Sequence, residues 1–316
     1  MKILMFGRGV IATVNGWALE RAGHDVEFYV RPGRAATYGE AIELDLLDAR
    51  RRLLRAPRVV EKWSVRYREA LEPDHDFDLI VLSVQHYRLP EAAAFLAPRV
   101  GKATVLVLSN IWAEPLDAIG DLPPDKVAWG FPQSGGGFGE NGVLRAAILP
   151  SVVLGTFGTP LTERERTVRR LFRDAGFRVL EQPDLRGWLW IHFVMDASLY
   201  SQSLRLGSLA DLAGARRDLR EALLASRELL PLLEARGVDL RRHRAVVLPM
   251  RAPTWLTAAA LAWLTTRVAL TRLSFEAHSD PKAEEPREVC RDTLAEAHRL
   301  GIAVPRLEAA EPHFAH

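Results

Sequence analysis

The sequence predicts an α/β domain followed by an all-helical one, and three observations carry that reading. Met1 to Arg34 runs through a short apolar stretch, a glycine turn, a helical pattern and a second apolar stretch. Further short apolar runs recur through Leu180, as a sheet buried on both faces requires. Beyond Pro183-Asp184 such runs nearly vanish and helical periodicity takes over.

The first element is the most informative. Lys2 to Phe6 (KILMF) predicts a buried strand, Gly7-Arg8-Gly9-Val10-Ile11-Ala12 the turn after it, and the pattern through Leu19 and Ala22 a helix. Gly23-His24 ends that helix, and Asp25 to Val30 forms the next strand. This order is that of a dinucleotide-binding Rossmann unit. Gly7 permits the tight turn, and Gly9 lets backbone N–H groups approach a pyrophosphate. Val10 and Ile11 open a helix whose N-terminus carries partial positive charge, and Ala12 keeps it close to the sheet. Arg31 follows the second strand, with Arg34 close behind. An acidic residue there would accept from the ribose 2′-OH of NAD, whereas a cation suits the 2′-phosphate of NADP. A solvated loop arginine is the plainer alternative; NADP is the cofactor expected.

The rest of the first domain follows in order. Tyr38 to Arg58, with Leu44, Leu46 and Leu47 among charges, suggests an irregular element or a helix, then a strand near Val59-Val60. Asp78 to Val84 and Ala103 to Leu108 predict parallel strands, the first followed by a helix over Leu89 to Leu96 with Pro90 and Glu91 in its first turn. Val127 to Gly130 suggests another strand. Ser134 to Gly139 is too glycine-rich for a helix, and with no helix after it a flexible turn is expected rather than a phosphate cradle. Val143 to Leu149 and Ser151 to Leu154 suggest strands meeting at Pro150, an antiparallel addition to the sheet. A charged helix over Thr162 to Ala175 and a strand over Phe177 to Leu180 complete the domain.

The boundary expected is residues 1–183 against 184–316, with helices over Trp188 to Leu204, Arg216 to Arg236, Thr254 to Leu273 and Pro286 to Leu300. Trp255 to Leu270 is apolar but too short to span a bilayer comfortably, and it contains Arg267, so a buried helix is expected. Within residues 249–275 a core role is preferred over a pocket wall or a dimer face. Ligands of such folds bind at the carboxyl ends of the strands, where Arg31, Gln85 and Asn110 fall.

Composition narrows the function. The 42 basic and 40 acidic residues leave a net charge of +2, with arginine far in excess of lysine, which does not suggest nucleic acid. The single Cys290 excludes an internal disulfide and suits a reducing, cytoplasmic setting. Met1 leads straight into a strand, so no signal peptide is expected. No spacing suggests a metal site. The partner expected is a small-molecule substrate, with no nucleic acid and no membrane.

With these elements in place, the chain resembles the ketopantoate reductases (2-dehydropantoate 2-reductases). MKILMFGRGVIA with AGHDVEFYVR looks like that family's opening, Asn110 falls where the family has an asparagine beside the nicotinamide, and Gly301 to Pro305 is similar to its closing motif. The resemblance is strong over the first 34 residues and loose from about residue 184 to 285. It implies NADPH-dependent reduction of a 2-oxo acid and a helical second domain, like that of 6-phosphogluconate dehydrogenases, that can pair into a homodimer.

The departures bear on chemistry. The family's lysine after a Leu-Trp pair falls on His192, its asparagine four residues on falls on Asp196, and a second family lysine falls on Gln85. The family's acidic substrate motif aligns onto Glu284-Glu285-Pro286-Arg287, where Glu285 takes the glutamate's place; Ser274 matches the preceding serine only approximately. Reduction of a ketone leaves charge on oxygen, and a histidine near neutral pKa can protonate it. His192 and Asp196 are one helical turn apart, so Asp196 can orient the imidazole and raise its pKa. A core histidine in an apolar helix is the alternative. His86 follows the strand-end Gln85 and is expected to border the cofactor, while His243 and His278 look superficial or loop-borne. The function expected is reduction of a 2-oxo acid or related carbonyl compound other than ketopantoate, with His192, Asp196 and Glu285 in the catalytic site. A catalytically silent NADP(H)-binding sensor or scaffold, and an enzyme acting on an amine or imine, are the alternatives.

Overall fold

In the computed structural model, which describes residues 1–52, 55–277 and 283–315, Lys2–Phe6 (β1), Val10–Arg21 (α1) and Asp25–Tyr29 (β2) make the expected strand–helix–strand. Next come Ala35–Tyr38 (α2), Ala41–Asp48 (β3), Arg58–Ser64 (β4), Tyr67–Arg68 (β5) and Leu79–Leu82 (β6). Leu89–Leu96 (α3), Thr104–Leu108 (β7), Pro115–Ala118 (α4) and Val127–Pro132 (β8) follow. Gly135–Phe138 (β9), Leu144–Ile148 (β10), Ser151–Gly155 (β11), Glu163–Asp174 (α5) and Arg178–Gln182 (β12) complete the α/β part. By internal contacts the chain divides into two units, Met1–Arg186 and Gly187–His316.

Among the described residues the first unit holds two sheets, ordered β12-β11-β8-β7-β6-β1-β2-β5 and β4-β3-β10-β9. β1 pairs in parallel with β2 on one side and with β6 on the other, and β7 and β8 extend the parallel run beyond β6. The strand order therefore reverses at β1, the position where open α/β sheets bind ligands. α1 is buried from Ala12 to Leu19 because it is covered twice: its residues share one core with Met5, Val26 and Phe28 of the large sheet and with Ile42, Leu44, Trp63 and Ala146 of the small one. A Cβ on Gly16 would stand 3.0 Å from the Phe28 ring and 3.2 Å from Met5, so this glycine lets the helix approach the sheet. Ala12, expected in that role, is also fully buried.

The small sheet corrects three expectations. Ala41–Asp48 is a strand, neither irregular nor helical: Ile42, Leu44 and Leu46 alternate inward while Glu43 and Asp45 alternate outward. Ser134 to Gly139 is not a flexible turn but contains β9, antiparallel to β10 with Gly136 opposite Ala146. A Cβ on Gly136 would lie 2.5 Å from both the Ala146 Cβ and the Arg145 carbonyl oxygen, so only glycine fits this register. The strands flanking Pro150 do not extend one sheet. β10 pairs in parallel with β3, while β11 crosses to the large sheet and pairs antiparallel with β8.

The second unit is helical: Leu185–Leu206 (α6, which begins two residues earlier), Arg216–Glu228 (α7), Leu230–Ala235 (α8), Arg244–Arg251 (α9), Thr254–Arg267 (α10), Ala269–Ala277 (α11), Glu285–Arg299 (α12) and Pro305–Ala310 (α13). Two expected helices are each divided. Leu229 separates α7 from α8, whose first turn carries Pro231, and Val268 adopts extended backbone between α10 and α11. His243 is loop-borne, in the turn that precedes α9, but it is buried and not superficial, and its carbonyl accepts from the Val246 and Val247 N–H groups. His278 lies outside the described residues.

The largest departure is α10. It was expected to be buried, yet Trp255 is 67% and Trp263 59% exposed, with Leu256 and Leu264 beside them; only Thr254, Ala258, Ala262 and Thr265 face inward. An apolar sequence does not say how many of a helix's faces are covered. Among the described residues no single helix is long and apolar enough to cross a membrane.

Candidate active site

In the first unit, Gly7 directly follows β1 with φ +93°, a conformation that favours glycine, and its N–H donates to the Tyr29 carbonyl at 2.9 Å. Gly9 caps α1 with extended backbone and no side-chain cap, so the first-turn N–H groups at Val10 and Ile11 have no side chain folded over them. A Cβ built on Gly7 or Gly9 would meet nothing within 4 Å, so the turn faces open space. Arg8 is fixed beside it. Its Nε donates to the Tyr67 hydroxyl at 2.9 Å, and its guanidinium lies 4.7 Å from the ring centres of both Tyr38 and Phe138.

Arg31 and Arg34 are exposed in the loop after β2. The loop is shaped by Glu69, whose carboxylate accepts from the Ala35 N–H at 2.7 Å. Backbone N–H groups of Ala35, then of Gly33 and Arg34, hold that carboxyl below its usual pKa. Gln85 stands exposed after β6 at the start of a turn, with His86 next to it and edge-on to Tyr87. Asn110 follows β7, half-buried. Because β1, β2, β6 and β7 are parallel neighbours, their carboxyl ends bring Gly7 to Ala12, Arg31, Gln85 and Asn110 to one edge of the sheet. Donor N–H groups, open space above the glycines and two exposed cations suit a dinucleotide phosphate.

In the second unit, α6 carries Trp188, His192, Asp196 and Tyr200 at four-residue intervals, one row along one face. His192 Nδ1 lies 3.1 Å from Asp196 Oδ2, and the imidazole packs beside the Trp188 ring, centroids 5.4 Å apart and planes tilted by 33°. Burial, the largest single influence, pulls the His192 pKa down. The Asp196 charge and the hydrogen bond to it together outweigh burial, and the net direction is upward. His192 is half-buried, and its pairing with Asp196 holds its pKa upward.

Tyr200 was missed by sequence reasoning. Burial first, then the charges of Asp196, Glu285 and the nearby Cys290, drive its phenol well above the usual value, so it stays neutral. Its signal was the continuation of the Trp-His-Asp row by one more turn. Glu285 sits in the first turn of α12, half-buried, where a carboxylate is favoured by the helix dipole. The second unit therefore gathers His192, Asp196, Tyr200 and Glu285. Cys290 is buried with its thiol donating toward the Ala197 carbonyl at 3.4 Å, and burial pushes its pKa far up, so it is no nucleophile. Among the described residues no group of three or more His, Cys, Asp or Glu side chains could hold a metal.

Comparison with known proteins agrees with this architecture. Residues 3–158 match the family model described as ketopantoate reductase PanE/ApbA. No curated protein sequence matches the chain. Among solved structures, a 2-dehydropantoate 2-reductase from Geobacter metallireducens is similar at 18% identity and TM-score 0.69, covering 100% of this chain and 99% of that one. A D-mandelate dehydrogenase solved with NADH and anilino(oxo)acetate is similar at 13% identity and TM-score 0.69, covering 100% and 97%. A dimeric ketopantoate reductase from Staphylococcus aureus is similar at 13% identity and TM-score 0.62, covering 99% and 98%. At these identities the structures establish the shared fold, and the matched residues end before the row on α6. Over residues 3–158 the chain is similar to the ketopantoate reductase PanE/ApbA family, and over its whole length it shares the fold of solved ketopantoate reductases.

Proposed function

We propose that this chain is an NADPH-dependent oxidoreductase that reduces a 2-oxo acid or related carbonyl compound to its hydroxy compound. The observation that carries the reading is the His192–Asp196 pair: an imidazole 3.1 Å from a carboxylate, with its pKa raised, holds a proton ready near neutral pH. The match of residues 3–158 to the ketopantoate reductase PanE/ApbA model supports it, as do similar solved structures named as ketopantoate reductases and a D-mandelate dehydrogenase.

When bound, NADPH supplies the hydride that the carbonyl carbon accepts. The backbone of Gly7, Gly9, Val10, Ile11 and Ala12 would hold the pyrophosphate, and Arg31 with Arg34 would hold the 2′-phosphate. Gln85 and Asn110 would line the nicotinamide end. His192 donates its proton from Nε2 to the carbonyl oxygen, while Asp196 on Nδ1 fixes the ring and stabilises its charged form. Glu285 accepts a hydrogen bond from a polar group of the substrate. Gln85 and His192 replace two family lysines, and this disfavours ketopantoate itself. The reading includes a soluble, cytoplasmic enzyme that works as a homodimer, as the Staphylococcus aureus relative does.

The test is titration with NADPH and NADH, followed by turnover of a panel of 2-oxo acids by wild type and His192→Ala. NADPH preference and turnover lost in the variant support the reading. Undiminished turnover in His192→Ala removes the histidine from the mechanism, and tight binding without any turnover indicates a silent family member.

A further inference from the structure

Arg8 stands between the two glycines of the turn, a place where the dinucleotide-binding pattern requires no particular side chain. Its half-buried side chain is nonetheless fixed from three directions: by Tyr38 at the end of α2, by Tyr67 on β5 and by Phe138 at the end of β9. The two ring contacts and the bond from Nε to the Tyr67 hydroxyl orient the guanidinium without neutralising it. Burial is the main influence on Tyr67 and raises its pKa, so its hydroxyl stays uncharged. Arg34 approaches the same Tyr38 ring, 5.4 Å from its centre. The acids of the adjoining strands are engaged elsewhere. Glu27 pairs with Lys2 and Arg68, and Glu69 accepts from backbone N–H groups of the loop. The sequence itself places no acid from Gly7 to Leu19 or from Val30 to Gly39.

We propose that Arg8 is a specificity-determining residue for the coenzyme, gripping the 2′-phosphate of NADPH from the glycine turn while Arg31 and Arg34 reach it from the loop after β2. The proposal rests on the NADPH reading above. The strand order β7-β6-β1-β2-β5 gives the direction: Gln85 and Asn110 follow β6 and β7 on one side of β1, whereas Tyr38, Tyr67 and Arg34 lie on the other, past β2. Arg8 reaches to the second side, away from the residues assigned to the nicotinamide end. With Nε bound to Tyr67, the guanidinium keeps four N–H bonds on its terminal nitrogens, in a fork that matches phosphate geometry. A phosphate monoester carries about −1.5 to −2 charge near pH 7, which offsets cations that would otherwise repel one another. NADH has no group for that place. Tyr38, Tyr67 and Phe138 are positioning residues, acting through Arg8.

The experiment is calorimetric titration of the full chain with adenosine 2′,5′-bisphosphate and with adenosine 5′-monophosphate, which differ only in the 2′-phosphate and carry no nicotinamide. Wild type is expected to bind the bisphosphate more tightly. Arg8→Met removes the charge and keeps an unbranched chain against the rings. It is expected to weaken the bisphosphate by about ten- to a hundredfold and to change the monophosphate by less than about twofold. Arg8→Gln gives the same comparison should the methionine variant not fold. Tyr67→Phe keeps the charge and releases Nε, and it is expected to remove a smaller part of the same preference, about two- to tenfold. Selective loss of the bisphosphate supports the proposal. Equal loss of both ligands overturns it and puts Arg8 on the 5′-phosphate that they share. Unchanged affinities also overturn it, leaving Arg8 as a strut between the turn and the aromatic rings. A wild type that binds neither ligand, nor NADPH itself, sinks the coenzyme reading and this assignment with it. A preference for the bisphosphate that persists in the Arg8 variants sinks this assignment alone.

Discussion

His192 Nδ1 and Asp196 Oδ2 are 3.1 Å apart, one helical turn apart on α6, with the imidazole tilted against the Trp188 ring. The carboxylate acts against the burial that would otherwise discharge the imidazole. Asp196→Asn removes the charge and keeps the burial, so the His192 pKa should fall below the ordinary imidazole value. An NMR titration of the ring measures this directly, and an unchanged midpoint would show that Asp196 does not govern it.

The same pair sets how stability responds to pH. A group whose pKa is raised on folding stabilises fully below its unfolded pKa and loses that contribution as pH rises through the raised value. The wild-type contribution should thus decline from near-neutral pH upward. In Asp196→Asn the folded pKa is depressed, so the sign reverses and the contribution is lost as pH falls through it. Urea midpoints of both proteins across this window should show opposite slopes from this site.

On the proposed mechanism, His192→Ala should lower turnover by about 10²–10⁴-fold, with nucleotide affinity nearly unchanged. His192→Lys should restore part of the rate and move the alkaline limb of the pH profile upward, since an ammonium keeps its proton to higher pH. An unmoved limb would assign the limb to another group.

Arg31→Ala should weaken NADPH by about ten- to a hundredfold, the worth of one hydrogen bond between charged groups, and leave NADH unchanged. Calorimetry with both nucleotides decides it. Equal losses for both would place Arg31 on a phosphate they share.

Gly136→Ala should destabilise the first unit by about 1–3 kcal/mol, because the new methyl group would overlap Ala146 and the Arg145 carbonyl in the β9–β10 ladder. A denaturant midpoint equal to wild type would mean that β9 can shift register without cost.

The strand–glycine turn–helix–strand opening was legible because each of its parts has a local cause: Gly7 at positive φ, the uncapped start of α1, apolar runs in β1 and β2. β9 was not legible, since a strand of three glycines and a phenylalanine shows no alternation, and its place is set by what it must fit beside. β3 was legible in principle. Ile42, Leu44 and Leu46 keep a two-residue period, and the charges between them hid it. α10 shows a different limit: hydrophobicity measures what a helix prefers to bury, not what is there to cover it. On α6 the histidine and aspartate stood out by their chemistry, while Tyr200 took meaning only once Asp196 and Glu285 were seen to act on the same phenol.

α1 is held from both sides by a reciprocal exchange. The Trp17 indole donates to Glu61 of the small sheet, and the Trp63 indole of that sheet donates back to Glu20 of the helix. Two such anchors to a second layer restrain the helix from tilting or sliding. On the proposed function, the ordering cost of its first-turn amides is thereby met during folding and not during nucleotide binding. The four-stranded sheet, which carries none of the candidate site residues, thereby acts as a splint: cutting it away would leave the glycine turn intact in sequence but free to wander, and affinity would drain into the entropy of holding it still.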